Sequence, residues 1–189
     1  MPKQILFVQG AGESVHDGWD DRLVASLGRE LGDRYAIAYP RMPDEADPRY
    51  ASWKRALLAA LDALNDDAIL VGHSIGGAVL IHVLAEQGPK CKFGALVLIA
   101  APFIGERGWP SEDIEPRTDL GERLPADVPV LLYRGTKDTV VPFEHMALYA
   151  NAMPRAIVRS LANRDHQLNN DLGDVARDIL SIEGRDRNA

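Results

Sequence analysis

The chain has 189 residues, one cysteine, and 21 Lys plus Arg against 28 Asp plus Glu, a net charge of −7. A hydrophobic fraction of 46% with 26% charged residues is globular composition and excludes disorder and collagen-like repeats. The acidic balance argues against a nucleic-acid or anionic-membrane partner, and a lone cysteine cannot close an internal disulfide. The length suits one domain, 1–189, with a core of its own.

The first element is the apolar run Ile5–Val8, a predicted strand. It is too short for a signal-peptide core, and no apolar stretch reaches the ~20 residues of a membrane helix. A cytoplasmic protein without a membrane span is expected. Gly10-Ala11-Gly12 follows, a truncated form of the dinucleotide fingerprint with Val15 where a third glycine is required. His16 stands in this loop, near the sheet edge where substrate would sit.

Trp19, Leu23, Leu27 and Leu31 then repeat every four residues and predict a helix. The run Tyr35–Tyr39 is the second predicted strand. Tyr50, Trp53, Leu57, Leu61 and Leu64 form a second helical stripe, and Ala68–Val71 the third strand.

The strongest local signal comes next, Gly72-His73-Ser74-Ile75-Gly76-Gly77, between that strand and the helical stretch from Ala78 to Ile81. This is a G-x-S-x-G nucleophile elbow in the strand–turn–helix setting it needs. A turn that strains the serine backbone crowds the positions two before and two after, which therefore lack a Cβ. Ser74 is the candidate nucleophile, and the backbone amide of Ile75 lies at the positive end of the following helix, where an oxyanion is stabilised. The loop after the first strand offers a second amide, Ala11. His73 flanks the nucleophile and is expected to point away from it; His82 lies two turns along the helix and is expected to be packed. Cys91, between two lysines, is expected to be a passive loop thiol.

After the fourth strand, Ala95–Ala100, the alternation breaks. Residues 102–128 carry four prolines, three glycines and dense mixed charge, with Phe103, Ile104, Trp109 and Ile114 scattered among them. So long an excursion in a small domain suggests a lid over the strand ends. Phe103, Ile104 and Trp109, with His16, are candidate substrate-lining residues.

Val130–Tyr133 is the fifth strand, and Asp138 follows it in Arg134-Gly135-Thr136-Lys137-Asp138. Pro142 suits the first turn of a helix presenting Phe143, Met146 and Ala150 on its apolar face, with His145 on the surface. Ala156–Val158 is the weakest strand. His166 follows in Asn163-Arg164-Asp165-His166-Gln167, ahead of a final helix marked by Leu168, Leu172, Val175 and Ile179.

A serine hydroxyl needs a base, and the base needs a carboxylate on its far nitrogen. Among five histidines His166 is best placed to reach Ser74, and Asp138 leaves the same sheet edge one strand earlier. Asp165 reads as a solvated loop charge. The chain order Ser74, Asp138, His166 is that of the nucleophile-elbow hydrolases. No His, Cys, Asp and Glu set has metal-ligand spacing, so neither metal nor cofactor is expected.

With these residues, the chain resembles the α/β-hydrolase superfamily over nearly its whole length, in size most like the small single-domain serine hydrolases of the retinoblastoma-binding-protein type. The segment from Gly135 to Pro142 is similar to the acid loop of carboxylesterases and acyl thioesterases. The alternation of six apolar runs with helical stretches predicts an open, mainly parallel six-stranded sheet with helices on both faces, with no room for a full cap domain. The resemblance implies hydrolysis of a small-molecule ester or thioester by a Ser74-His166-Asp138 triad through an acyl-enzyme. The superfamily often has His-Gly before the oxyanion loop, where this chain has Gln9-Gly10. A catalytically silent protein of the same fold and a dinucleotide-binding protein are the alternatives.

Overall fold

The computed structural model describes residues 1–88 and 92–186, so Cys91 lies outside the described residues. Six strands form one sheet: β1 (Lys3–Val8), β2 (Tyr35–Ala38), β3 (Ile69–His73), β4 (Ala95–Ile99), β5 (Val130–Gly135) and β6 (Ile157–Leu161). Their order is β2-β1-β3-β4-β5-β6 and every pairing is parallel. The helices are α1 (Asp21–Leu31), α2 (Tyr50–Asp62), α3 (Ser74–Gln87), α4 (Leu120–Arg123), α5 (Glu144–Ala152) and α6 (Gly173–Asp186).

Alternation along the strands divides the core in two. Leu6, Val8, Leu70, Leu96, Leu98 and Leu132 meet Trp53 and Leu57 of α2 and the apolar body of α3. Ile5, Phe7, Ile69, Val71, Val97 and Leu131 meet Leu23 and Leu27 of α1 and Val175 and Ile179 of α6. A sheet covered on both faces needs strands apolar on both sides, which is why the inner strands read as unbroken hydrophobic runs. α3 is apolar nearly all round because it lies under a further layer, formed by α2, α4 and residues 102–128.

The chain reverses direction across the sheet between β1 and β3, which lie side by side with Val8 opposite Gly72. At such a switch point the loops leaving two adjacent strands part to opposite faces and open a crevice at their C-terminal ends. The loops after β1 and β3 therefore meet there.

Four expectations are corrected. The edge strands are not buried on both faces: Ala36 and Ala38 in β2, and Val158, Arg159 and Ser160 in β6, are exposed because nothing pairs beyond them. Trp19 does not share the buried stripe of Leu23, Leu27 and Leu31; a π-helical turn at His16–Asp20 rotates it outward, where it is 53% exposed. On α5 the inward face is His145 and Tyr149, whereas Phe143 is 59% exposed beneath the Arg134 guanidinium. His145 is therefore no surface residue: it is 3% exposed, and its Nδ1 accepts the Phe103 amide at 2.8 Å.

Candidate active site

The backbone at Ser74 is left-handed, φ +51°, a conformation costly for a side chain with a Cβ. The glycines around it explain how the turn closes. A Cβ on Gly72 would lie 2.5 Å from the Cα of Gly77, so strand and helix touch there as expected. Gly76 is needed for a different contact: its Cβ would fall 1.9 Å from the carbonyl oxygen of Gln9, at the end of β1. The helix thus abuts the neighbouring strand's exit loop, which brings Gly10 against the serine; a Cβ on Gly10 would stand 3.2 Å from Ser74 Cβ.

His166 approaches from the loop after β6. Its Nε2 is 3.0 Å from Ser74 Oγ and its Nδ1 is 3.0 Å from Asp138 Oδ2. An ionised carboxylate only accepts, so Nδ1 carries the proton and Nε2 is left to accept from the serine hydroxyl. Asp138 is held by its own turn: Oδ1 accepts the amides of Val140 at 2.8 Å and Val141 at 3.0 Å, which frees Oδ2 for the imidazole. Burial pushes the Asp138 carboxyl up, but the His166 hydrogen bond and the Val141 and Val140 amides outweigh it and leave it below the ordinary carboxylate range.

The acid and histidine loops are fastened to each other. The Lys137 amide donates to Arg164 O at 2.8 Å, and Gly135 packs so closely there that its Cβ would come within 2.1 Å of that oxygen. Beyond His166, Asp165 and Asn169 exchange reciprocal backbone–side-chain bonds, and Leu168, Asn169 and Asn170 all adopt positive φ. Asp165 is a local brace for this turn, while Asp138 is the carboxylate in contact with His166.

The loop after β1 is shaped by Gln9, Gly12 and Asp20, and of these the sequence reading passed over Asp20. Gln9, fully buried, accepts the Met42 amide at 3.0 Å and donates to Glu45 at 2.5 Å. Gly12 adopts φ +140° and donates to Glu45 O at 2.7 Å. Asp20, fully buried, accepts the Gly10 amide at 2.7 Å, the His73 ring at 2.9 Å and Gln167 at 3.1 Å. A phosphate bound as in a dinucleotide site would have to compete for that Gly10 amide. Ala11, next in the chain, packs beside the α3 core.

The candidate lining residues are placed differently from expectation. His16 stacks on Tyr39 with ring centroids 4.1 Å apart, and both its nitrogens are engaged, with Asp17 and with Tyr39 O. Phe103 and Ile104 are buried in the core, and Trp109 lies edge-on to His145. None of the four lines the cavity next to Ile75. That cavity, of about 300 Å³, lies between α2, the first turns of α3 and residues 111–114. Tyr50, Trp53, Ile75, Val79 and Ile114 form its apolar wall, with Arg49, Glu112 and Asp113 among its polar lining. The 102–128 segment is fastened down through Ile114, Leu120 and Leu124, all buried, and through Arg123, whose guanidinium donates to Ala85 O. Among the described residues no group of three or more His, Cys, Asp or Glu could hold a metal ion.

A model of the alpha/beta hydrolase family matches residues 5–187. The chain belongs to that family. Ser74 follows β3, an inner strand of its parallel sheet. It is 27% identical over 154 residues to a pimeloyl-(acyl-carrier protein) methyl ester esterase of Xanthomonas campestris pv. campestris, a match covering 79% of this chain. The chain spans about half the length, 56%, of the curated relatives it matches. Among solved folds it is similar to Est1E of Butyrivibrio proteoclasticus with bound ferulic acid: TM-score 0.72, 14% identity, 97% of this chain and 88% of that one. An α/β serine hydrolase without lid from Xanthomonas campestris superposes with TM-score 0.64 at 17% identity, over 97% of this chain and 82% of the other. No helix among the described residues is long and apolar enough to cross a membrane.

Proposed function

We propose that this α/β hydrolase is a serine esterase that cleaves small carboxylic esters or thioesters through an acyl-enzyme. The observation that carries this reading is the single imidazole of His166, within hydrogen-bond distance of the Ser74 hydroxyl on one side and the buried Asp138 carboxylate on the other. Ser74 Oγ attacks the acyl carbon as its proton passes to His166 Nε2. Asp138 stabilises the imidazolium that results. The oxyanion gathers at the amides of Ile75 and Ala11, and its collapse expels the alcohol or thiol, which takes the proton from His166. Water, activated by the same imidazole, then releases the acid.

The cavity beside Ile75 suits the acyl part, because Ile75 follows the nucleophile directly and the wall formed with Trp53, Val79 and Ile114 is apolar. Glu112 and Asp113 near it, and the net charge of −7, favour an uncharged acyl chain. Residues 111–114 act as one wall of this cavity, so the 102–128 segment serves as a fixed partial cover. The esterase activity in the names of the curated relatives agrees with ester chemistry. A fluorophosphonate probe should label the native protein and leave Ser74→Ala unlabelled; labelling that persists in the variant would assign the nucleophile elsewhere.

A further inference from the structure

Behind the proposed triad lies a second carboxylate–imidazole pair. Asp20 and His73 are both buried, Asp20 at 0% and His73 at 1% exposure. His73 Nδ1 is 2.9 Å from Asp20 Oδ2, and its Nε2 is 3.2 Å from the carbonyl oxygen of His166. A carbonyl oxygen can only accept, so Nε2 must carry a proton. Asp20 meanwhile faces donors at both oxygens: the Gly10 amide shares Oδ2 with His73, and Gln167 Nε2 donates to Oδ1. Such a carboxylate is ionised, and the nitrogen facing it carries the second proton. Asp138 also favours the protonated ring, and the His166 imidazole is the titratable ring beside it.

The pair joins three loops that catalysis must hold in register. Asp20 fixes Gly10, one residue before the Ala11 amide. His73 directly precedes Ser74. Its far nitrogen fixes the main chain of His166, whose ring lies 5.0 Å from the His73 ring, centroid to centroid. We propose that Asp20 and His73 form a permanently ionised brace, a positioning pair that sets the oxyanion loop and the catalytic histidine loop against the nucleophile elbow. The electrostatics agree. Burial opposes both charges, yet His73 with the Gly10 and Gln167 bonds brings Asp20 below its ordinary range, while Asp20 and the His166 carbonyl bring His73 above its own.

The inference rests on the serine-esterase reading for its catalytic consequence, but its charge state can be read without turnover. In ¹⁵N-histidine-labelled native protein at about pH 8, above the ordinary imidazole range of ~6.5, both His73 ring nitrogens should be protonated. A singly protonated His73 would overturn the brace. In Asp20→Asn, which keeps size but removes the charge and turns one of the two accepting oxygens into a donor NH2, kcat and the rate of fluorophosphonate labelling should fall about 10²-fold, as for ångström-scale misplacement of reacting groups. KM should stay within about twofold, since the acyl cavity is untouched. Should that variant not fold, His73→Gln, which cannot reach both acceptors as an imidazolium does, is expected to lose the same factor. Native protein labelled at Ser74, with either folded variant labelled equally fast, would reject the brace alone. Native protein that neither labels nor turns over would reject the esterase reading, and the nitrogen signals would still decide whether the pair is ionised.

Discussion

A Cβ placed on Gly76 would stand 1.9 Å from the carbonyl oxygen of Gln9. The first turn of α3 and the exit of β1 are therefore pressed together with no room for a methyl group. Gly76→Ala must move backbone on one side of that contact, and is expected to cost about 4 kcal/mol or more. Gly28→Ala, inside α1 and 3.6 Å from Ile37 Cδ1, makes only ordinary contact and is expected to stabilise by about 0.5–1 kcal/mol. Denaturant melts of the two variants check the contrast. A folded Gly76→Ala with near-native stability would mean that this contact is not tight.

Two buried histidines are pulled in opposite directions, which shapes stability against pH. Burial and the Arg117 charge push His82 down to about 4, and its Nε2 has no hydrogen-bond partner. Between the ordinary histidine range and that value the unfolded chain binds the proton that the folded chain refuses, so stability falls as pH falls. The loss accumulates to about 3 kcal/mol over the interval. His145, also pushed down by burial, adds in the same sense. His73 is held above its ordinary range, so its contribution is full below ~6.5 and is lost as pH rises through the folded value. Urea melts across this range should show a maximum near pH ~6.5. His82→Leu should flatten the acid side; an acid slope equal to the native one would contradict the assignment to His82.

On the proposed esterase reading, the wall of the cavity beside Ile75 should set a chain-length preference. Ile114 lies on the fixed part of the 102–128 segment and faces Ile75 and Val79 across the cavity. Ile114→Ala should raise the ratio of kcat/KM for octanoyl over acetyl p-nitrophenyl esters by about tenfold, the scale of one or two methylenes in an apolar pocket. Taking a ratio cancels any general loss from a loosened loop. An unchanged ratio would place the acyl chain elsewhere.

Much of this architecture is legible in the sequence, for physical reasons. Strands buried on both faces must be continuous apolar runs, and the elbow needs glycines at fixed offsets from Ser74, so both leave local signatures. The edge strands and the exposure of Trp19 and Phe143 do not, because they depend on what lies next to a segment in space. Asp20 shows the limit best. It sits in Asp17-Gly18-Trp19-Asp20-Asp21, a stretch that reads as solvated, yet it is the carboxylate of this stretch fully buried against His73, Gly10 and Gln167. His145 was hidden in the same way: the inner face of α5 is built from polar atoms that bind the backbone of Pro102 and Phe103, and periodicity of apolar residues cannot reveal that.

The most direct test of the central claim is to trap the covalent intermediate. Native protein mixed with a slowly deacylating p-nitrophenyl ester, quenched in acid and weighed intact, should gain the mass of one acyl group. Digestion should locate that mass on the peptide containing Ser74, and Ser74→Ala should gain nothing. Ester turnover at the native rate by Ser74→Ala, or an adduct carried by a different residue, would contradict the account.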